Sequence, residues 1–295
     1  MTGAERGFLL LTGFLGDPME KPLTVAQFRE LTRRGRDMEM PVQERELTQK
    51  DLQALGCEEQ FAQRVLRLLD RQEQLDWYLE KAKLAGCIPV TRISEHYPER
   101  LRKALNMEAP ACLWMQGDMS LLQMPSVSLV GSRELREENR TFARQLGAQA
   151  AKQGYVLVSG NARGADRQAQ ESCLENGGYV ISVVAYPLRE HPCRAHVLYV
   201  AEDGFDMAFS AYRALSRNRI IHAWSPKTFV AQCSLEKGGT WSGVKNNLRH
   251  GLSDVYCFPD GSEAIDRLRD LGACLVDLQR PDQWLIRQAD QLKMI

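Results

Sequence analysis

The sequence predicts an α/β protein: a doubly wound, mostly parallel sheet preceded by a small all-helical unit. Three observations carry that expectation. Between residues 126 and 258, short apolar segments rich in β-branched residues alternate with amphipathic helical patterns. Such near-continuous apolar strands suit a sheet covered by helices on both faces. Residues 1–87 lack these segments and instead carry apolar residues at helical spacing. Finally, 295 residues with 44% apolar and 26% charged side chains have a globular composition, long enough for one large domain or two ordinary ones.

In the first unit, Phe61, Val65, Leu66, Leu68 and Leu69, followed by Leu75, Trp77, Tyr78 and Leu79, recur at helical spacing. The stretches LTVAQFRELTRR and LTQKDLQALG each place a threonine ahead of a helical pattern, and the second ends at Gly56, as capping at both ends requires. Texture changes near residue 88, so the predicted domains are 1–87, helical, and 88–295, the sheet. In order, the second domain reads strand 126–130, helix 136–153, strand 155–158, helix 165–175 and strand 179–184. It continues with helix 211–224, strand 228–233, helix 241–250 and strand 254–258.

Charge and cysteine usage narrow the function classes. Thirty-eight basic residues balance 38 acidic ones, which argues against coating DNA through bulk electrostatics but leaves room for a local basic pocket. No apolar stretch reaches the roughly 18 residues that a membrane span needs, and the amino terminus lacks a secretory pattern. The eight cysteines, at 57, 87, 112, 173, 193, 233, 257 and 274, form no CxxC pair, and the five histidines have no metal-ligand spacing. They read as reduced, mostly buried thiols of a cytoplasmic protein that holds no metal.

Ligands of parallel sheets bind at the carboxyl ends of the strands, so the loops there matter most. Gly131-Ser132-Arg133 follows the first strand, Ser159 to Asp166 the second, and Ser234 to Thr240 the fourth. Gly131, Gly160, Gly164, Gly238 and Gly239 let backbone N–H groups approach a phosphate; Ser132, Ser159 and Thr240 add hydroxyls; Arg133, Arg163 and Lys237 add charge. Arg217-Asn218-Arg219 is a fourth cationic element, whose guanidinium forks suit phosphates and stack on bases. His191, His196, Arg189 and Arg194, after the third strand, read as a solvated loop. Asp166 reads as a helix-start residue that caps amides or orients an arginine. Neither GxGxxG nor GxxxxGK[ST] occurs, which disfavours a dinucleotide enzyme and a P-loop NTPase, so no cofactor is expected.

Taken in order, VSLVGSRE, YVLVSGNARGADRQAQ, GGYVISVVA, LSRNRIIHAWS and TFVAQC resemble the Rossmann-like domain of the DprA/Smf family of DNA-processing proteins. The lead-in GCIPVTRISEHYPERLRKALNMEAPACLWMQGD resembles that family too, so the likeness runs over about residues 85–260. It implies a protein, not an enzyme, that binds single-stranded DNA and assists loading of a RecA-type recombinase in DNA uptake, recombination or repair, as a homodimer. Carried over residue by residue, the DNA-contacting positions fall on Gly131, Ser132, Arg133, Ser159, Gly160, Ala162, Gly164, Arg217, Asn218, Arg219, Lys237 and Gly238. Departures from the family pattern are Ala165, Gln170, Gln232 and Glu236-Lys237-Gly238-Gly239, and the chain stops at Ile295, before the winged-helix domain of many members.

Two rival classes share the features of these loops: a phosphoribohydrolase-like enzyme acting on a mononucleotide, and a nucleotide-sensing module of a defence system. The enzyme needs a carboxylate acid at the glycosidic bond. Among the pocket loops only Asp166 and Glu236 supply one.

Overall fold

The computed structural model describes residues 1–17, 19–37, 47–191 and 193–285; the end of the predicted second domain, 286–295, lies outside them. The first five helices are α1 (Gly3–Thr12), α2 (Val25–Asp37), α3 (Gln49–Ala54), α4 (Glu59–Leu69) and α5 (Gln72–Leu84). Threonines start three of them. Thr2 and Thr48 form capping boxes with Glu5 and Asp51, and Thr24 exchanges hydrogen bonds with Gln27 in the same pattern. Leu31, Leu52, Ala62, Val65 and Leu68 close a small core, which α1 reaches through Leu11. The neighbouring Leu9 and Leu10 of α1, with Leu75 and Tyr78 of α5, instead join the core beneath the sheet. Tyr78 also donates its hydroxyl to Asp206 at 2.7 Å, beside the Lys81–Asp206 ion pair at 2.8 Å.

The sheet has nine strands: β1 (Ile88–Thr91), β2 (Cys112–Gly117), β3 (Ser126–Val130), β4 (Val156–Ser159), β5 (Tyr179–Val184), β6 (Val197–Glu202), β7 (Lys227–Val230), β8 (Asp254–Cys257) and β9 (Cys274–Leu275). Their spatial order is β1-β2-β6-β5-β4-β3-β7-β8-β9. β1 and β2 pair antiparallel at one edge and all other pairs are parallel. The expected doubly wound, mostly parallel architecture is therefore present. From β3 the chain steps outward through β4, β5 and β6, then returns to lay β7 on the other side of β3. Strand order reverses between β3 and β7, the switch point where such sheets open a crevice.

Helices cover both faces, which explains why the strands read as unbroken apolar runs. In β4, Leu157 faces one core while Val156 and Val158 face the other. The first core is roofed by α7 (Glu137–Lys152) and α8 (Ala165–Glu175) through Phe142, Leu146, Ala169 and Cys173. The second is roofed by α6 (Glu99–Leu105), α10 (Asn218–Trp224), α11 (Gly238–His250) and α12 (Glu263–Asp270). α7 and α8 touch closely at Gly147, where an added Cβ would lie 2.2 Å from the carbonyl oxygen of Ala169. Overpacking of this kind costs about 1–3 kcal/mol, so Gly147→Ala should lower the urea midpoint by that amount at unchanged m-value. An unaltered midpoint would show that the helices part freely.

Two expectations need correction. β6 was not among the predicted strands, because the chain passes from β5 to β6 through a loop without an intervening α-helix, which breaks the alternation that marked the others. The antiparallel β1 and β2 were missed for a similar reason. The single helix expected over 211–224 is two, α9 (Ala211–Ser216) and α10, joined at Arg217, which caps both. Six of the eight cysteines are buried as expected, whereas Cys193 and Cys274 are exposed.

Candidate nucleic-acid interface

The loops leaving β3, β4 and β7 are tied into one rim by their own backbones. Ser132 donates its N–H to the Gln232 carbonyl at 2.9 Å, Ala165 donates its N–H to the Ser132 carbonyl at 3.1 Å, and Thr240 donates its hydroxyl to the Gly131 carbonyl at 3.0 Å. Gln232, where the resemblance leads one to expect an acid, completes the clamp. Its Oε1 accepts from Arg136 N–H at 3.0 Å and its Nε2 donates to the Glu134 carbonyl at 3.2 Å. Gly164 has φ +92°, and a Cβ there would lie 2.3 Å from the Ser132 carbonyl oxygen, so the β3 and β4 loops meet only because this residue is glycine.

At the centre sit Asp166, Arg217 and Gly160. Asp166 is 6% exposed. Its Oδ2 accepts from the N–H groups of Gly160 at 3.0 Å and Ala162 at 3.3 Å, so it shapes the β4 loop as its sequence position suggested. Burial pushes its carboxyl above the usual carboxylate range, against the pull of Arg217 and the two amides. Arg217 is 9% exposed; burial depresses its guanidinium while Asp166 opposes that, and its Nε has no hydrogen-bond partner among the described residues. The guanidinium lies flat against Gly160, where a Cβ would come within 1.4 Å of Nη1.

Two adjoining cavities open above this centre. The first, about 930 Å³, gathers most of the predicted residues: Gly131, Ser132, Arg133, Ala162, Arg163, Arg217, Asn218, Lys237, Gly238, Gly239 and Thr240. The second, about 830 Å³, shares Arg133, Ala162, Arg163 and Arg217 with the first and adds Gly160. Arg133 and Lys237 are exposed and make no ion pair with any described residue, and Arg163 has a solvent-exposed partner, Glu134, at 3.2 Å. Such exposed pairs are worth little. Helices α8 and α11 both begin at the rim without a side-chain cap, leaving N–H groups for an anion.

Three predicted positions do not line either cavity. Gly164 lies behind the loop it permits. Ser159 is fully buried and accepts a 2.6 Å hydrogen bond from Nε2 of Gln170. Arg219 turns away from the rim: its guanidinium pairs with the Glu202 carboxylate and also donates to the Ser216 carbonyl at 2.7 Å and the Glu108 carbonyl at 3.2 Å. It closes β6 onto α10, and the expectation that it meets a phosphate is corrected accordingly.

The sequence reading also missed contributors. Arg167 and Arg194 line the second cavity, as do Tyr186 and Phe209, whose rings stack with centroids 4.6 Å apart and planes 17° apart while each remains nearly half exposed. No helical or strand periodicity places these residues, which lie in loops or, for Arg167, on the outer face of α8. The available signal was an aromatic immediately past the end of a strand, at Tyr186.

Residues 89–276 match the family described as DNA recombination-mediator protein A. The chain belongs to that family. The DNA processing protein DprA of Streptococcus pneumoniae, a relative, is 28% identical over 184 residues, which make up 57% of this chain and 64% of that protein, so the chain spans less than two thirds of its length. The crystal structure of DprA from the same organism superposes with a TM-score of 0.73 at 23% identity, covering 95% of this chain and 97% of that one. A structure of DNA processing protein A from Helicobacter pylori, described by its single-stranded DNA binding mode, superposes with a TM-score of 0.56 at 22% identity over 70% of this chain and 96% of that one. Membership of the recombination-mediator family agrees with the resemblance read from the β3, β4 and α10 segments, and the likeness of these structures is one of fold.

Proposed function

We propose that the rim binds single-stranded DNA without cleaving it, and that the chain serves in handing the strand to a RecA-type recombinase, acting as a homodimer in the cytoplasm. The observation that carries this reading is the joining of three loops at the switch point, with Arg133 and Lys237 uncompensated and two uncapped helix starts beside them. The relatives' printed names and the H. pylori structure's title support it. No helix among the described residues is long and apolar enough to cross a membrane. The division into a helical unit, 1–87, and a sheet unit, 88–295, belongs to the same proposal, the first serving to dock partners.

Fluorescence anisotropy with single- and double-stranded oligonucleotides over a salt series tests the proposal. Preference for the single strand is expected, with a log–log salt slope of a few units. Arg133→Ala should reduce that slope by about 0.7, one phosphate contact on a single strand. Arg219→Ala should leave the slope unchanged while lowering stability, since its charge is already answered by Glu202. Salt-independent binding, or release of free base from a nucleotide, would move the enzyme reading to first place.

A further inference from the structure

The second cavity is the part of the molecule that phosphate binding leaves unexplained. It is reached from the rim through Arg133, Arg163 and Arg217, yet one wall is aromatic. Tyr186, just past β5, and Phe209, just before α9, are 45% and 44% exposed and lie nearly parallel, so the stack has free ring surface. On the far side His191 stacks on Tyr199 with centroids 4.8 Å apart, and its Nε2 is buried with no hydrogen-bond partner among the described residues. Arg167 and Arg194, both exposed and without an ion pair among the described residues, flank the opening.

Each of these features is a cost in isolation. Half-exposed aromatic rings lose apolar burial, an unpartnered buried imidazole nitrogen forfeits a hydrogen bond, and cations around one hollow repel one another. A single ligand relieves all of them: a flat heteroaromatic ring with polar edge atoms, attached to a phosphate. We propose that this cavity takes one nucleobase of the bound strand out of line with its neighbours. The base continues the Tyr186–Phe209 stack, meets His191 with its polar edge, and leaves its phosphate to Arg167 and Arg194. Stacking on aromatic side chains tolerates any base, because every base has a π-face, so the cavity fixes register along the strand more than sequence.

The inference rests on the single-strand reading and is tested so that the two can fail separately. Oligothymidines carrying one abasic position at each site in turn are titrated against the full chain and against the double variant Tyr186→Leu/Phe209→Leu, both positions being exposed enough to leave folding intact. For the unsubstituted protein, affinity should fall about tenfold at one abasic position and little elsewhere. The double variant should bind the intact strand about tenfold more weakly, at the same salt slope, and be indifferent to the abasic position. A flat scan with normal binding, or a double variant that keeps the position-dependent loss, overturns the base cavity and leaves the rim standing. Failure of the unsubstituted protein to bind any oligothymidine removes the parent reading and this one with it. Free thymidine 5′-monophosphate is the control arm: competition as strong as the oligomer's would overturn a strand-borne base in favour of a free nucleotide.

Discussion

Arg217→Met is expected to cost about 3–5 kcal/mol of stability at neutral pH, the usual penalty for removing one partner of a buried ion pair, and to abolish detectable binding at the rim. Methionine fills much of the space but leaves Asp166 buried with only the Gly160 and Ala162 amides to answer its charge. In the parent protein burial already raises the Asp166 carboxyl and Arg217 pulls it back, so without Arg217 it rises further. A folded-state pKa above the unfolded value means that the folded protein binds more protons in the interval between the two. Stability must then increase as pH falls from neutral through the raised pKa towards the ordinary carboxylate range. Urea denaturation of Arg217→Met at a series of pH values checks this. Losses that do not shrink on acidification would show that packing, not the uncompensated charge, is responsible. Asp166→Asn added to Arg217→Met should recover part of the loss and flatten the pH dependence, because the stranded charge is gone.

This buried pair also shows where sequence reading succeeds and where it stops. The strands β3, β4, β5, β7 and β8 were legible because burial on both faces demands consecutive apolar residues, and β5 was read at its exact bounds, Tyr179–Val184. The loops were legible too, because close approach of three backbones at a switch point demands glycine at positions such as Gly160 and Gly164. Arg217 and Arg219, by contrast, are the same residue type two positions apart. One lies beneath the rim against Gly160 and the other is turned to Glu202, and their opposed directions follow from the break between α9 and α10. Nothing in the string RNR marks that break, since Arg217 has helical dihedrals, φ −65° and ψ −20°, and the bend is set by tertiary contacts. The Tyr186–Phe209 stack was hidden for a related reason: its partners are 23 positions apart in loops, where no period links them.

Gly160→Ala is the sharper probe of that centre, and it should lower affinity for single-stranded DNA by about ten- to a hundredfold while costing about 1–3 kcal/mol of stability. The new Cβ would sit 1.4 Å from Nη1 and 2.1 Å from Cζ of Arg217, distances at which one of the two groups must leave. The backbone at 160 is held by Asp166, and moving it would break the 3.0 Å amide contact. The guanidinium is the end of a flexible side chain, so Arg217 is the group that moves, out of its slot and across the floor shared by both cavities. Gly239→Ala is the matched control: its Cβ would meet Leu215 Cδ2 at 3.0 Å and Asn218 Nδ2 at 3.2 Å, contacts that yield by a few tenths of an ångström. A smaller effect is expected there. A double-mutant cycle separates the causes. If the clash with Arg217 is the origin of the loss, Gly160→Ala in the Arg217→Met background should cost less stability than it does alone, because the flexible thioether yields where the planar guanidinium cannot. Strict additivity would mean that the alanine acts through the β4 loop backbone, and that the guanidinium and the glycine are neighbours without being coupled.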